Sequence, residues 1–539
     1  MIQKRVYLYL IIITLLSSIN GLFYPAISST FGPYYGSIAK HIVITNNWND
    51  LILSGRDWLD KPHLPFWLTA FSFKLFGING FAFAISGFIF NLIGAIYTFK
   101  LARLLYGKEV AKLSFLFYLT TLHLMLSAID VRAEAYLLGE IIPACFYSLL
   151  YYKDKKLKYA LYCSIFIALS LMTKGIFTLI TISSGLIVLW LYNKDWKNFI
   201  NYRWYLILIA SLLLTFPELL ALYKQFDLQP DKLIFGKQNV SGIKWFFFDS
   251  QFGRFFNTGP IMSTNPEPFH WLYFVHTFLW AFLPWWPIFF IAVTQQIKNY
   301  KQLKEYDIYL YASFFITFIL FSATKFQVDH YTNIIFPFAI IICAHYLINS
   351  NNRLILLSMN IISTIFFIII IVLLTIIPLK LIIMYLILIC FALYGYKFNT
   401  HFLEKLIYLP ISLLAILFSI IMFINGNIYA RYDAGYQAAL YLNKIKNIQV
   451  IGYNVDKLSI DLYSNNRYNL INNKNLLDKN FKGYIFTKFN SYVDLKSLYP
   501  DLLIINDFYD CSIDKVIVRK FFRNNSFINC EKYIIIKIN

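Results

Sequence analysis

Long apolar segments separated by short polar loops make up most of the first 425 residues. A helix that crosses a bilayer needs about 20 mostly apolar residues. Segments that approach this length lie near residues 6–27, 80–101, 112–128, 135–152, 158–172, 176–194, 204–223, 269–293, 307–323, 331–348, 353–374, 379–396 and 405–424. The pattern therefore predicts an all-α polytopic membrane bundle with about 13 transmembrane helices.

The loops between these segments alternate in charge. Lys and Arg concentrate in every second loop, as at Lys100 and Arg103, whereas the intervening loops hold most of the acidic and prolyl residues. Cytoplasmic loops are enriched in Lys and Arg, so the alternation predicts a cytoplasmic N-terminus. The N-terminal segment has a basic flank and an apolar core without a convincing small-residue cleavage site, and we expect it to remain as the first helix.

Two parts of the outer side differ from the rest. The loop at 28–79 is rich in aromatic residues and is expected to form juxtamembrane helices in the interface. In the tail, apolar runs shorten to strand length and alternate with polar stretches; these runs lie at 449–453, 483–488, 502–507 and 533–538. We therefore expect a transmembrane domain at 1–425 and a non-cytoplasmic α/β domain at 426–539.

Composition agrees with a membrane protein. The 539 residues are 59% hydrophobic and 14% charged, with a mean hydropathy of +0.58, values that ordinary soluble domains do not reach. The formal net charge is +20. Because much of the Lys and Arg falls in short loops, this charge indicates topology and a lipid bilayer as partner rather than nucleic acid.

The six cysteines divide into two groups. Cys145, Cys163, Cys343 and Cys390 lie in apolar runs and are expected to be small core residues, whereas Cys511 and Cys530 lie in the tail. The tail pair is either a disulfide, which would stabilise the domain by about 3 kcal/mol, or two buried thiols. The sequence has no cysteine cluster with metal-binding spacing and no glycine-rich phosphate loop.

Charged residues in the outer loops are the candidate functional residues. The stretch GRDWLDKPHLPFWL, residues 55–68, places Asp60 and Lys61 between prolines and tryptophans. Further candidates on the same side are Asp130, Arg132, Glu134, Lys174, Arg254, Lys325, Asp329, His330 and Tyr331. Each alone suits a snorkelling or capping residue. As a group they predict a functional site, because ionisable side chains near hydrocarbon are unfavourable unless they serve a purpose.

Five blocks in order resemble a known family. They are LDKPHLPFWLTAFSFKLFG at 59–77, IDVRAEAYLL at 129–138, LMTKGIFTLI at 171–180, the pair at 251–256 and 270–289, and FSATKFQVDHYTNIIFPFAII at 321–341. The family comprises membrane glycosyltransferases of the GT-C fold that take a sugar from a polyprenyl-phosphate carrier. Its members include bacterial relatives of protein O-mannosyltransferases and the ArnT-like lipid A aminoarabinose transferases.

The resemblance implies a mechanism and roles for the candidates. A carboxylate deprotonates the acceptor hydroxyl while cations stabilise the departing carrier phosphate. By resemblance the catalytic carboxylates are Asp60, Asp130 and Glu134, with Asp60 also orienting Lys61. The residues that would bind the donor phosphate or sugar are Lys61, Arg132, Lys174, Arg254, Lys325 and Tyr331. We expect these groups to converge on one cavity, with Lys61, Glu134, Arg254 and Lys325 around it.

The resemblance also implies the partners and the location. The partners are a polyprenyl-phosphate-linked sugar and a lipid or glycan acceptor such as lipid A, or a protein. The location is the bacterial inner membrane, with the tail in the periplasm. No cofactor is required by the sequence. A divalent metal bound by His270 or His330 is an open alternative to structural histidines.

The sequence departs from the family where an acid pair is usual. Those positions hold Phe31 and Gly32, and a second usual acid and arginine are replaced by Gly80 and Ala84. Three explanations stay open: one of Asp57, Asp60, Asp130 or Glu134 substitutes, the donor differs, or the protein does not catalyse transfer. The alternative function is a non-catalytic or transport protein that binds a lipid-linked sugar. Transport is less favoured, because no repeat relates the two halves of the chain.

Overall fold

The computed structural model describes residues 2–25, 32–262, 270–350, 352–399, 401–445, 448–478, 480–512 and 530–538. Its first twenty helices, in chain order, are α1 (Lys4–Gly21), α2 (Gly32–Thr45), α3 (Leu64–Phe76), α4 (Gly80–Tyr106), α5 (Lys108–Leu119), α6 (Leu122–Ser127), α7 (Ala133–Asp154), α8 (Leu157–Lys174), α9 (Thr178–Tyr192), α10 (Tyr202–Leu214), α11 (Phe216–Leu222), α12 (Gly242–Lys244), α13 (Ser250–Phe256), α14 (His270–Ala281), α15 (Trp286–Lys298), α16 (Glu305–Ala323), α17 (Phe336–Ile348), α18 (Arg353–Leu374), α19 (Leu379–Phe398) and α20 (Phe402–Phe423).

Within these described ranges, eight helical segments are long and apolar enough to cross a membrane. They are α4, α7, α8, α16, Asp329–Ile348, α18, α19 and Phe402–Tyr432. A ninth is formed if Tyr202–Leu214 and Phe216–Asp227, which meet at a 43° bend, act as one span. The chain is therefore a largely helical, multi-pass membrane protein by length and composition, but the expected number of about 13 spans is not confirmed.

Breaks inside apolar runs account for part of the difference. The run at 112–128 is divided into α5 and α6, and the amide of Leu122 donates to the carbonyl of Leu283 (2.9 Å) rather than within a helix. The run at 269–293 is divided into α14 and α15 around Pro284, which has no N–H to continue a helix. Two further predicted spans are not among the eight: α9 has only 15 residues, and α1, although it has 18, includes the polar residues Lys4, Arg5 and Asn20.

Close packing of α4 and α7 fixes the helix on which several site residues lie. A Cβ added to Gly139 of α7 would lie 2.4 Å from the carbonyl oxygen of Phe90 on α4, and one added to Gly94 would lie 3.0 Å from that of Leu138. Glycines at both contacts let the two backbones approach each other. The N-terminal turn of α7, which carries Glu134, is thereby held against the bundle.

The segment between α1 and α4 lies against the tail. It contains α2, a short antiparallel hairpin of β1 (Ile52–Leu53) and β2 (Arg56–Asp57), and α3. The hairpin turns at Ser54 and Gly55, both with positive φ (49° and 85°). The hydroxyl of Ser54 donates to Asp461 of the tail (2.6 Å), and its carbonyl accepts from the amide of Leu470 (3.2 Å).

The tail forms one five-stranded sheet with short helices. Its strands are β3 (Gln449–Tyr453), β4 (Arg467–Ile471), β5 (Gly483–Lys488), β6 (Leu503–Asp510) and β7 (Glu531–Ile538), in the spatial order β4-β3-β5-β7-β6. The pairs of β3 with β4 and β5 are parallel, and those of β7 with β5 and β6 are antiparallel. The helices are α21 (Ala434–Leu442), α22 (Leu458–Tyr463) and α23 (Tyr492–Lys496). Cys511 and Cys530 form a disulfide, which resolves the alternative left open by the sequence.

Candidate functional site

Two cations share one carboxylate in the segment between β2 and α3. The ammonium of Lys61 lies 3.1 Å from Oδ2 of Asp60, and the guanidinium of Arg254 on α13 binds Oδ1 of the same carboxylate. Arg254 Nη2 also donates to the backbone carbonyl of Asp60 (3.0 Å). The three side chains are at most 21% exposed. The cluster therefore carries one net positive charge, which suits an anionic ligand.

Burial and neighbouring charges set the ionisation of this cluster. Burial opposes the charge on Asp60, but Lys61 and Arg254 outweigh it and hold the pKa of Asp60 below its usual value. Burial, with a smaller contribution from the charge of Arg254, lowers the pKa of Lys61 to about 8. Lys61 is thus still mainly protonated at neutral pH. Among the described residues Nε of Arg254 has no hydrogen-bond partner, so this guanidinium keeps a donor available.

A second ion pair joins the beginning of α7 to the end of α8. The carboxylate of Glu134 binds the ammonium of Lys174 through Oε1, while its Oε2 lies 3.5 Å from Nε2 of His330. The ammonium of Lys174 also lies 3.6 Å from the centre of the Tyr331 ring, a cation–π contact. The position of Lys174 follows from its neighbour: Gly175 ends α8 with a φ of 90°, a conformation that favours glycine.

A third group surrounds Arg132, which precedes α7. Its Nη2 and Nε donate to Oδ2 of Asp130 (2.7 and 3.0 Å), and its Nη1 lies 3.9 Å from Asp329 and 2.7 Å from Nδ1 of His330. Nδ1 of His330 is also 3.0 Å from Oδ1 of Asp329, so this nitrogen either accepts from Arg132 without a proton or donates a proton to Asp329, but not both. Among the described residues, Oδ1 of Asp130 has no hydrogen-bond partner.

Two cavities adjoin the Glu134–Lys174 pair, one bordered by Glu134 and the other by Lys174. The larger, of about 320 Å³, is lined by Asp130, Arg132, Glu134, Asp329 and His330, together with apolar residues. The smaller, of about 60 Å³, is lined by Lys174, Arg254 and Tyr331. The arrangement separates a cation-rich side from a carboxylate-rich side, as a transfer reaction with an anionic leaving group requires.

The structure brings most of the predicted site residues together, with two differences. Asp60, Lys61, Arg254, Lys174, Glu134, Tyr331, Arg132 and Asp130 belong to the three linked groups described above. Lys325 is exposed and approaches Arg254 only through its backbone, its amide donating to the carbonyl of Phe255 (3.1 Å). The single cavity expected for Lys61, Glu134, Arg254 and Lys325 is replaced by two, and Lys61 and Lys325 line neither of them.

Gly80, one of the positions that lack the usual family acids, has little space for a side chain. A Cβ on Gly80 would lie 2.3 Å from the carbonyl oxygen of Tyr24, so backbone occupies the place of a side chain there. Gly80 and Ala84 both line the larger cavity. Gly32 begins α2, and Phe31 lies outside the described residues. The carboxylates available at the larger cavity are therefore Asp130, Glu134 and Asp329.

Sequence reasoning missed a buried pair next to Lys61. His63 and Glu218 are both fully buried, and Nδ1 of His63 lies 2.9 Å from Oε1 of Glu218. The available signal was Glu218 itself, an acidic residue within the apolar run at 204–223. An ionisable residue within a membrane segment is a functional candidate by default.

Metal binding receives no support from the residues that the structure describes. They contain no group of three or more His, Cys, Asp or Glu side chains able to hold a metal ion. His330 instead contacts Glu134 and Asp329. His270 begins α14, and its side chain lies outside the described part of the structure. The metal hypothesis stays an expectation.

Comparisons with known proteins agree with the resemblance seen in the sequence. Residues 60–220 match the family described as dolichyl-phosphate-mannose-protein mannosyltransferase. An uncharacterised protein of Aquifex aeolicus is 24% identical over 64% of this chain and 64% of its own length. The undecaprenyl phosphate-alpha-4-amino-4-deoxy-L-arabinose arabinosyl transferase 2 of Proteus mirabilis is 23% identical over 55% of this chain and 51% of its own. The chain thus covers between half and two thirds of these relatives.

Solved structures show the same fold over nearly the whole chain. ArnT from Cupriavidus metallidurans, bound to undecaprenyl phosphate, has a TM-score of 0.75 at 12% identity, with 98% of this chain and 97% of ArnT covered. The oligosaccharyltransferase of Archaeoglobus fulgidus has a TM-score of 0.53 at 11% identity, with 92% and 71% covered. The chain therefore has the fold seen in ArnT and, less closely, in this oligosaccharyltransferase, and the resemblance named from the sequence is confirmed.

Proposed function

We propose that this protein transfers a sugar from a polyprenyl phosphate, most simply undecaprenyl phosphate, to an acceptor at the outer face of the inner membrane. The observation that carries the proposal is the cluster of Lys61 and Arg254 on the single carboxylate of Asp60. Its net positive charge is half-buried beside the bundle, where the phosphate of a lipid carrier would arrive. The N-terminus would be cytoplasmic and the tail periplasmic, as the loop charges predict.

The reaction requires one bond to form as another breaks. The acceptor oxygen attacks the anomeric carbon, the bond from that carbon to the phosphate oxygen breaks, and the carrier phosphate leaves with the electron pair. Lys61, Arg254 and Lys174 stabilise the charge that develops on the phosphate. The proton of the acceptor hydroxyl passes to a carboxylate.

Asp130 is the carboxylate best suited to receive this proton. Both oxygens of Asp60 are engaged by cations, and both oxygens of Glu134 face Lys174 or His330. Asp130 lines the larger cavity and binds Arg132 through Oδ2, while its Oδ1 has no partner among the described residues. A base needs an oxygen available to the hydroxyl. We therefore assign Asp130 as the substitute for the absent family acids.

The larger cavity is the proposed place of the sugar and the acceptor hydroxyl. Its volume of about 320 Å³ is at the lower end of the range for small-molecule sites. Trp280 and His123 lie in its wall with their rings 4.7 Å apart. This combination of an aromatic side chain with carboxylates suits a group that has both apolar faces and hydroxyls. The proposed acceptors are a lipid such as lipid A, another glycan, or a protein hydroxyl.

The test is transfer by the purified protein reconstituted in liposomes. Undecaprenyl phosphate carrying a radiolabelled sugar is supplied with a panel of lipid and glycan acceptors, and labelled product is measured for the wild type, Lys61→Ala and Asp130→Asn. We expect product from the wild type alone. Carrier binding by the wild type without transfer to any acceptor would instead support a non-catalytic binding protein, which the substitutions at Gly80 and Ala84 favour.

A further inference from the structure

His63 is held by three hydrogen bonds in a fully buried position. Its backbone amide and its Nδ1 both lie 2.9 Å from the carboxylate of Glu218 on α11, one on each oxygen. Its Nε2 lies 2.8 Å from the carbonyl oxygen of Asn49. Both side chains have no exposed surface. A buried carboxylate with two such contacts is a specific and rigid attachment.

The contacts of the imidazole require one proton shared by the pair. The partner of Nε2 is a carbonyl oxygen, so Nε2 must donate. Nδ1 then either donates to an ionised Glu218 or accepts from a protonated one. In either arrangement one proton lies between Nδ1 of His63 and Oε1 of Glu218, in addition to the proton on Nε2. An apolar side chain in place of Glu218 would remove both contacts, the one to Nδ1 and the one to the backbone amide of His63.

The same helical region holds the other end of this segment. Gln225, seven residues after Glu218 and about two helical turns away, is in the turn of π-helix that follows α11. Its side chain binds both the amide and the carbonyl of Leu51 (3.0 Å each) and donates to Asp57 (2.9 Å). The residues from Asp57 to His63, which include Lys61, are thus attached at both ends to one helical element.

We propose, on the basis of the function proposed above, that Glu218 and His63 are positioning residues that set the place of Lys61 for the carrier phosphate. Lys61 is separated from His63 only by Pro62, whose ring restricts the backbone between the two. A displacement of His63 is therefore transmitted to the ammonium. Neither His63 nor Glu218 touches the phosphate in this proposal; both act through Lys61.

The test measures the binding of undecaprenyl phosphate to the detergent-purified protein, without any transfer step. Glu218→Leu, which removes both contacts to His63, is expected to weaken binding about tenfold, as loss of a coupled contact does. In the Lys61→Ala background the same substitution is expected to change binding less than about twofold, because the group it positions is gone. Thermal unfolding is followed for every variant, to separate loss of fold from loss of affinity.

A matched control is available at the other side of the bundle. Glu404 on α20 is also fully buried, accepting from the amide of Gln3 (2.7 Å). Glu404→Leu is expected to leave phosphate binding unchanged, whatever it does to stability. If Glu218→Leu does not fold, His63→Gln, which keeps the backbone contact to Glu218, is measured in the same cycle.

Two outcomes would overturn the inference. Unchanged phosphate binding in folded Glu218→Leu or His63→Gln would show that the pair does not position Lys61. An equal loss of binding with and without Lys61 would show a general structural effect. Failure of the proposed function is distinguishable from both, because Lys61→Ala alone would then leave phosphate binding unaltered.

Discussion

The ion pair of Glu134 and Lys174 lies between the two cavities, with Glu134 in the wall of the larger and Lys174 in the wall of the smaller. Glu134 begins α7 and is 2% exposed, while Lys174 ends α8 and is 14% exposed. The helix dipole favours both charges, because the carboxylate is at a helix N-terminus and the ammonium is at a helix C-terminus. In the proposed reaction this pair connects the phosphate side to the acceptor side.

Removing one partner of this pair should destabilise the protein strongly. Glu134→Gln leaves the ammonium of Lys174 without its carboxylate, for an expected loss of about 3–5 kcal/mol in the free energy of unfolding. Glu134→Gln combined with Lys174→Met should recover part of this loss, because no uncompensated charge remains. Thermal unfolding in detergent measures both. A double variant less stable than the single one would show that the pair is not the source of the effect.

The affinity for the carrier phosphate should fall as the pH rises through the pKa of Lys61. Burial and the nearby Arg254 lower this pKa to about 8, so the ammonium is lost at a lower pH than in an ordinary lysine. We expect undecaprenyl phosphate to bind more weakly at pH 9 than at pH 7. A bound phosphate stabilises the ammonium and moves the midpoint upward. Lys61→Arg, whose side chain stays charged, should remove the step.

Stability should change in the opposite direction over the same range. Between about pH 8 and the ordinary value of 10.5, the unfolded chain holds a proton on Lys61 that the folded chain has released. The free energy of unfolding contributed by this group therefore rises with pH in that window. A parallel fall of affinity and of stability would contradict the assignment of the pH step to Lys61.

Asp130→Asn should reduce the catalytic rate with little effect on carrier binding. The amide cannot accept the proton of the acceptor hydroxyl, and loss of a general base reduces kcat by about 10²–10⁴-fold. KM for the carrier-linked sugar should stay within about threefold, since Asp130 binds Arg132 and does not contact Lys61 or Arg254, the cations proposed to hold the phosphate. Asp154→Asn, at the far end of α7 and paired with Lys156 at 3.6 Å, is the control. An unchanged rate in Asp130→Asn would show that Asp130 is not the base and that another carboxylate takes the proton.

The local pattern of apolar and polar residues predicted individual helices and strands, whereas contacts between distant segments were visible only in the structure. The predicted strand runs at 449–453 and 483–488 coincide with β3 and β5. Short apolar runs of this length in a polar tail fit few structures other than strands. The run at 112–128 did not reveal its break after α5, since an average over about 20 residues does not detect one hydrogen bond to Leu283.

The sequence predicted a set of candidate residues but not how they are arranged. Asp60 and Arg254, 194 residues apart, and His63 and Glu218, 155 residues apart, meet only in the folded chain. Lys325 was grouped with the site by its sequence block, yet its side chain is exposed. A block identifies the segment near a site, while burial decides which side chains of that segment enter it.

The disulfide between Cys511 and Cys530 should stabilise the tail. The two cysteines are 19 residues apart, a separation for which cross-linking the unfolded chain contributes about 3 kcal/mol. Replacing both with Ser should lower the unfolding midpoint of the tail. Reductant should lower the midpoint of the wild type but leave that of the double variant unchanged. Cys390→Ser, an exposed free cysteine, is the control. Equal unfolding of oxidised and reduced wild type would contradict this expectation.

Lys40→Met should weaken the attachment of the tail to the transmembrane part. Lys40 on α2 is 5% exposed, and its ammonium donates to the carbonyl oxygens of Asp461 and of Ser464 (2.6 Å) at the end of α22. Burial lowers the pKa of Lys40, although the nearby Asp461 opposes this. The methionine fills similar space but leaves those carbonyls without their donor, which costs about 1–3 kcal/mol.

Hydrogen exchange of the tail amides measures this loosening directly. Faster exchange is expected over residues 458–471 in Lys40→Met, because α22 and the β4 segment contact α2 and the hairpin turn. Lys74→Met on α3 removes an exposed ammonium that binds Asn46 (2.8 Å) and should leave this exchange unchanged. Exchange that is equally slow in Lys40→Met and the wild type would show that the remaining contacts, such as Ser54 with Asp461, suffice to hold the tail.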